Sequence, residues 1–218
     1  MSDLTKILVI FDLDFTLIDN SFAICKAFNY ALESFQINPP MKEKIIEKIG
    51  IELKDMFLDY LDDANAERGV HLFRQYYRTH FFEGVKIIPG AIDLLEKLQG
   101  LRYKLALLTS KKTELAIKLL EYIDLKKYFD FILGEQQEFK PKPNPEPILY
   151  ILSKFPKIDK VFMIGDHDVD CLSAKNAGIN FIGVLSGNTS EKNLRKCAGE
   201  DAIIIKHVGN IDPPIHLI

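Results

Sequence analysis

The sequence predicts an α/β protein, a parallel sheet with one helical insertion. Three observations carry this. Short continuous apolar runs rich in Ile, Val, Leu and Phe recur along the chain and read as strands buried on both faces. Amphipathic stretches alternate with them, as in βα units. One long segment, from about Asn20 to Glu83, carries helical patterns and no strand run.

The first apolar run, Ile7 to Phe11, ends in acidic residues. Helical patterns then cover Phe22 to Phe35, Lys42 to Ile49, Leu53 to Leu61 and Ala66 to Phe82, with Pro39-Pro40 separating the first two. Their aromatics (Phe28, Phe57, Phe73, Tyr76, Tyr77, Phe81 and Phe82) read as bundle core rather than a ligand cage. Pro89-Gly90 marks the return to alternation. Ala91 to Leu98 places Ile92, Leu95 and Leu98 on one helix face. The strand Leu105 to Leu108 follows and ends in Thr109-Ser110. Glu114 to Tyr122 carries Leu115, Leu119 and Tyr122 on one face. Further strands are predicted at Phe131 to Leu133, Val161 to Ile164, Phe181 to Leu185 and Ala202 to Ile205. The expected domains are an α/β core at 1–18 and 85–218 and a helical domain at 19–84.

Composition narrows the class. In 218 residues, 28 Lys and Arg stand against 31 Asp and Glu, a formal charge of −3. That balance gives no sign of a nucleic-acid or anionic-membrane partner. A hydrophobic content of 47% rules out disorder, and 12 Gly with 10 Pro rule out collagen. No apolar run approaches the roughly 18 residues of a membrane span. Met1 to Lys6 lacks the layout of a secretory leader. Cys25, Cys171 and Cys197 are scattered and odd in number, so neither a disulfide framework nor a zinc site is expected. Cys171 reads as a small helix-packing residue. The expected compartment is a reducing cytoplasm, and the expected state a monomer or weak homodimer.

The chemistry sits at strand ends, where open α/β sheets bind ligands. The first strand ends in Asp12-Leu13-Asp14-Phe15-Thr16, and the Val161 strand in Gly165-Asp166-His167-Asp168-Val169-Asp170. Before the latter lies Lys140-Pro141-Lys142-Pro143-Asn144-Pro145. Two like charges about 4 Å apart repel by about 4 kcal/mol at an effective dielectric of 20. Several carboxylates at neighbouring strand ends therefore call for a cation or a shared proton. Oxygen-only donors select a hard ion, Mg²⁺ above others. Such an ion beside a lysine and a hydroxyl suits a transferring phosphoryl group, and an aspartate there could be its covalent acceptor.

These residues resemble the haloacid dehalogenase-like superfamily, in particular its phosphatases with a helical cap of the phosphoglycolate phosphatase type. The pattern D-x-D-x-T-L matches Asp12, Asp14, Thr16 and Leu17. A hydrophobic strand ending in Thr or Ser matches Leu107-Leu108-Thr109, and K-P-x-P matches Lys142-Pro143-Asn144-Pro145. G-D-x-x-x-D followed by A-x-x-A-G matches Gly165, Asp166 and Asp170, then Ala174 and Ala177-Gly178. Each match alone is weak; their order and their places at strand ends make the set specific.

The resemblance implies a three-layer Rossmann-like parallel-sheet core with an inserted helical-bundle cap. It implies that Asp12 attacks phosphorus and becomes the aspartyl phosphate. Asp14 would protonate the leaving oxygen and then deprotonate the hydrolytic water. Thr109, with Ser110 beside it, would bind a phosphoryl oxygen, and Lys142 would neutralise charge on Asp12 and the phosphoryl group. Asp166 would ligate Mg²⁺ with Asp12 and the backbone carbonyl of Asp14, and Asp170 would orient metal waters or Lys142. Lys142, rather than Lys140, is in register with the pattern. Lys54, where relatives often carry Arg, is the candidate cap contact to substrate. Many relatives have Gly where Phe15 stands, so the bulk of Phe15 is expected to narrow the substrate range. The implied substrate is a small phosphorylated metabolite, phosphoglycolate-like. A phosphomutase of the beta-phosphoglucomutase type and a non-catalytic regulatory protein are the alternatives on the same scaffold.

Overall fold

The computed structural model describes residues 6–217, the side chain of Ile215 excepted. Met1 to Thr5, most of the stretch read as lacking a leader, lie outside these residues. The chain opens with β1 (Ile7–Phe11) and β2 (Ile18–Asp19). Helices α1 (Ser21–Glu33), α2 (Lys42–Ile46), α3 (Leu53–Leu58) and α4 (Asp63–His80) follow, then β3 (Lys86–Ile87). Next come α5 (Ala91–Gly100), β4 (Lys104–Lys112), α6 (Thr113–Tyr122), β5 (Phe131–Glu135) and α7 (Glu146–Ser153). The chain continues through β6 (Lys160–Gly165), α8 (Asp168–Ala177), β7 (Asn180–Val184), α9 (Glu191–Ala198) and β8 (Ile204–Ile205).

Six strands form one sheet in the order β5-β4-β1-β6-β7-β8. Every pairing in it is parallel. The fold is thus an α/β, Rossmann-like sheet flanked by helices. β1 is buried along its whole length, which explains its unbroken apolar run. Leu8, Ile10, Ala106, Leu108, Leu133 and Met163 form one buried cluster with Ile148 and Ile151 of α7 and Ala174 of α8. Each large side chain buried there contributes about 1.5–3 kcal/mol relative to exposure. Connections run outward from β1 to β4 and β5, then return to β6 on its other side. β1 therefore stands at the switch point of the sheet, where the crevice of such folds opens.

The chain divides into two compact units. One runs to Ile18 and resumes at Ile87; the other is Asp19–Lys86. The short strands β2 and β3 pair where the chain passes from one unit to the other. Between those two strands the second unit is built from the helices α1 to α4. Phe28 stacks on Phe57 with ring centroids 4.4 Å apart, and Asn20 donates to the Tyr77 hydroxyl at 2.6 Å. Gly69 lets α4 approach closely, since a Cβ there would lie 3.0 Å from the Phe57 ring. Of the aromatics read as core, Phe28, Phe57, Phe73 and Tyr77 are buried, while Phe82 is exposed.

Three readings of the sequence are corrected. In α5 the buried face is Ala91, Leu94, Leu95 and Leu98, and Ile92 is 38% exposed. In α6 it is Ala116, Leu119 and Leu120, and Tyr122 is 62% exposed. Ala91 and Ala116 lie on the buried faces, and Leu95, Leu98 and Leu119 are buried as read from the sequence. Third, Cys171 and Cys197 form a disulfide, with Cα atoms 6.3 Å apart, that ties α8 to α9. No disulfide framework is expected from the sequence, and the reading of Cys171 as a packing residue gives way to this single bond. The partners are 26 residues apart on neighbouring helices, so tertiary packing joins them and no local pattern announces it. Cys25 is free and buried, and burial pushes its thiol up to about 11.

Candidate active site

Strand register assembles the site. Phe11 of β1 lies opposite Leu107 of β4 and Ile164 of β6. Asp12, one residue past Phe11, and Thr109 and Asp166, two residues past Leu107 and Ile164, therefore fall at the same end of three adjacent strands. The Asp12 N–H donates to the Ile164 carbonyl at 2.9 Å, which carries the β1–β6 pairing to the first acid.

Asp12, Asp166 and Asp170 are buried and offer carboxylate oxygens within 4.8 Å of one another. Lys142 lies among them. Its Nζ donates to Asp12 Oδ1 at 2.7 Å and to Asp170 Oδ1 at 2.6 Å, and its side chain is 4% exposed. Lys140 is exposed, and its N–H is fixed by the Glu146 carboxylate at 3.1 Å. The Lys142 loop is tied to α8: Ser173 Oγ donates to the Asn144 carbonyl at 3.1 Å and Asn176 Nδ2 to the Pro143 carbonyl at 3.0 Å. Asp170 closes the first turn of α8, accepting the His167 N–H on Oδ2 at 3.2 Å. His167 caps that helix.

Electrostatics follow from burial. Asp12 is pushed up to about 7, first by desolvation and then by Asp170 and Asp14, while Lys142 pulls the other way. Asp166 is held well above the usual carboxylate range, first by desolvation and then by Asp12 and Asp170. Desolvation would lower the Lys142 ammonium, but Asp12 and Asp170 outweigh it and hold it above its ordinary value. One lysine does not balance three buried acids. An oxygen-only, anionic, desolvated donor set of this kind fits a hard divalent cation.

Two close approaches shape the cluster. A Cβ at Gly165 would meet the Asp170 carboxylate, and one at Gly187 would meet that of Asp166. Thr16, fully buried, donates its hydroxyl to Asp166 Oδ1 at 3.1 Å. The sequence pattern marked Thr16 without assigning it a task.

Asp14 lies outside the carboxylate cluster. Its Oδ2 pairs with Lys111, and its buried Oδ1 has no partner among the described residues. The sequence reading stops at Thr109-Ser110 and gives Lys111 no role. The strand β4 does not end at Leu108; it runs to Lys112 with a register shift between Leu108 and Lys112. Such a bulge re-aims side chains. Within it, Thr109 is buried and its Oγ1 accepts the Lys111 N–H at 3.3 Å, while Ser110 is exposed.

Phe15 takes a left-handed backbone, φ +57°, and its side chain is buried. That conformation suits glycine, the residue that the resemblance leads one to expect here. In the helical unit, Lys54 is bound to Asp63 at 2.8 Å and Glu67 at 3.0 Å, and these carboxylates raise its ammonium. Its charge is thus matched by two acids of α4.

Comparison with known proteins decides the family. A family model described as haloacid dehalogenase-like hydrolase matches residues 9–184. The chain belongs to this family. Within the haloacid dehalogenase-like hydrolases it is similar to phosphatases. It is 33% identical over 172 residues to the pyrophosphatase PpaX of Halalkalibacterium halodurans, covering 78% of this chain and 80% of that one. It is 32% identical over 173 residues to a phosphoglycolate phosphatase of Aquifex aeolicus, with the same coverage of 78% and 80%. Among solved structures, a haloacid dehalogenase-like family hydrolase of Streptococcus pneumoniae superposes with a TM-score of 0.83 at 27% identity, covering 94% of each chain. The enzyme is thus a haloacid dehalogenase-like hydrolase of the phosphatase kind.

Proposed function

We propose that the chain is a Mg²⁺-dependent phosphomonoester hydrolase that works through an aspartyl phosphate on Asp12. Its substrate is a small phosphorylated metabolite, phosphoglycolate-like. The observation that carries this reading is Lys142 bridging Asp12 and Asp170 beside buried Asp166. A carboxylate held by a buried lysine, in a cluster that fits a cation, is placed to meet an anionic phosphoryl group.

Asp12 Oδ attacks phosphorus in line, the bond from phosphorus to the leaving oxygen breaks, and Asp14 gives that oxygen a proton. Water then attacks the acyl phosphate with Asp14 taking its proton, which frees inorganic phosphate and restores Asp12. Lys142 opposes the effect of desolvation on Asp12, favouring its ionised form, and meets charge on the phosphoryl group. Thr109 Oγ1 donates to a phosphoryl oxygen. Asp12, Asp166 and the Asp14 backbone carbonyl would hold Mg²⁺, with Asp170 orienting its waters or Lys142, and the bound ion would supply charge neutralisation at the phosphoryl oxygens. A cytoplasmic location agrees with such a substrate, and the Cys171–Cys197 disulfide pulls against it.

The experiment is phosphate release from 2-phosphoglycolate and a set of metabolite phosphates, with Mg²⁺ or with chelator, beside Asp12→Asn. Release that needs both Mg²⁺ and Asp12 is the expected result. No release from any substrate by a folded, Mg²⁺-binding protein would overturn it. Transfer of phosphate within the substrate, without release, would make the chain a mutase.

A further inference from the structure

The site holds two buried lysines, and phosphoryl transfer at Asp12 accounts for only one. Lys142 is committed to Asp12 and Asp170, on the side of the nucleophile. Lys111 pairs instead with Asp14, and its side chain is 8% exposed. Its place is built into the backbone. The bulge of β4 carries it, and its N–H is bound to Thr109 Oγ1 at 3.3 Å. On the neighbouring strand a Cβ at Gly134 would strike the Lys111 carbonyl, so only glycine permits the two chains to approach this way.

Asp14 is the group that hands a proton to the leaving oxygen, so the leaving group binds at Asp14. A cation paired with Asp14 therefore meets whatever the leaving group carries next to that oxygen. We propose that Lys111 is a specificity-determining residue: its ammonium binds a second anionic group, a carboxylate or a phosphate, borne by the leaving group. This rests on the phosphatase reading above and narrows its substrate class. A neutral polyol leaving group offers the Lys111 ammonium no opposite charge. An anionic one gains a charge-assisted hydrogen bond in a desolvated site.

The test compares 2-phosphoglycolate, whose leaving group is anionic, with sn-glycerol 3-phosphate, whose leaving group is neutral. kcat and KM are measured for both with wild type, Asp12→Asn, Lys111→Met and Lys111→Arg. Lys111→Met is expected to lower the ratio of kcat/KM, phosphoglycolate over glycerol phosphate, by roughly 10- to 100-fold, the size of one lost hydrogen bond to a charged group, and chiefly through KM. Lys111→Arg is expected to keep most of the ratio. Equal losses on both substrates, or an unchanged ratio, overturn the inference and leave the phosphatase reading standing. Wild-type inactivity on both substrates, or full activity of Asp12→Asn, overturns the phosphatase reading and this inference with it. Should the Met variant not fold, inhibition of the wild type decides: glycolate is expected to compete with substrate and glycerol is not, and equal inhibition by the two overturns the inference.

Discussion

Thr16 donates its hydroxyl to Asp166 at 3.1 Å across 150 residues of chain, and both side chains are buried. The bond fixes which way the Asp166 carboxylate points. Thr16→Val keeps the shape and removes the donor. It is expected to cost about 1.5–3 kcal/mol of stability, because a buried charged acceptor loses its partner. It is also expected to weaken Mg²⁺ binding by about 10–100-fold, since supporting hydrogen bonds orient metal ligands. Calorimetric titration with Mg²⁺ and chemical denaturation check the two numbers.

Lys142→Met leaves Asp12 and Asp170 without their shared cation. Turnover is expected to fall by about 10²–10³, as for loss of a group that stabilises transition-state charge. Stability at neutral pH is expected to fall by about 3–5 kcal/mol, the usual cost of stranding a buried charge. The stability loss should shrink in acid, where protonation of Asp12 removes part of the stranded charge. Urea unfolding with and without acidification measures it.

Asp12 gives a pH dependence with a definite sign. In the folded, metal-free protein it is pushed up to about 7, whereas its ordinary value is 3.8. Between those values the folded state holds a proton that the unfolded chain has released. Stability therefore falls as pH rises through that window and levels off above it. Asp166, raised by the same desolvation, adds in the same direction. Melting curves in chelator, wild type minus Asp12→Asn, isolate the effect. With Mg²⁺ the trend should flatten or reverse, because the ion competes with those protons.

The Cys171–Cys197 disulfide spans 26 residues. Closing a loop of that length is worth about 3 kcal/mol in the chain-entropy account. Reduction, or Cys197→Ser, is expected to lower the melting temperature while the carboxylate cluster persists. Thiol titration of the denatured, unreduced protein should find Cys25 alone.

The sequence revealed the site at the strand ends because parallel pairing brings all those ends to one edge. Asp12, Thr109 and Asp166 were legible for that reason, and Lys142 from its Pro-flanked pattern. Lys111 was not, because a bulge decides where its side chain goes, and nothing in Thr109-Ser110-Lys111-Lys112 announces a bulge. Gly187 was missed because its value lies in its distance from Asp166, a tertiary quantity. The faces of α5 and α6 were misread only at their margins: a reading by large side chains took in Ile92 and Tyr122, which are exposed, and passed over Ala91 and Ala116, which are buried.

Asp12 and Lys142 are 130 residues apart, and Asp12 and Asp166 are further still. During synthesis at about 5–20 residues per second, the first acid waits many seconds for its lysine and for the acids that will crowd it. Until β6 docks beside β1, Asp12 can stay in water, where its charge costs little. The electrostatic penalty of the site falls due only at the last central strand, when most of the apolar sheet is already available to outweigh it.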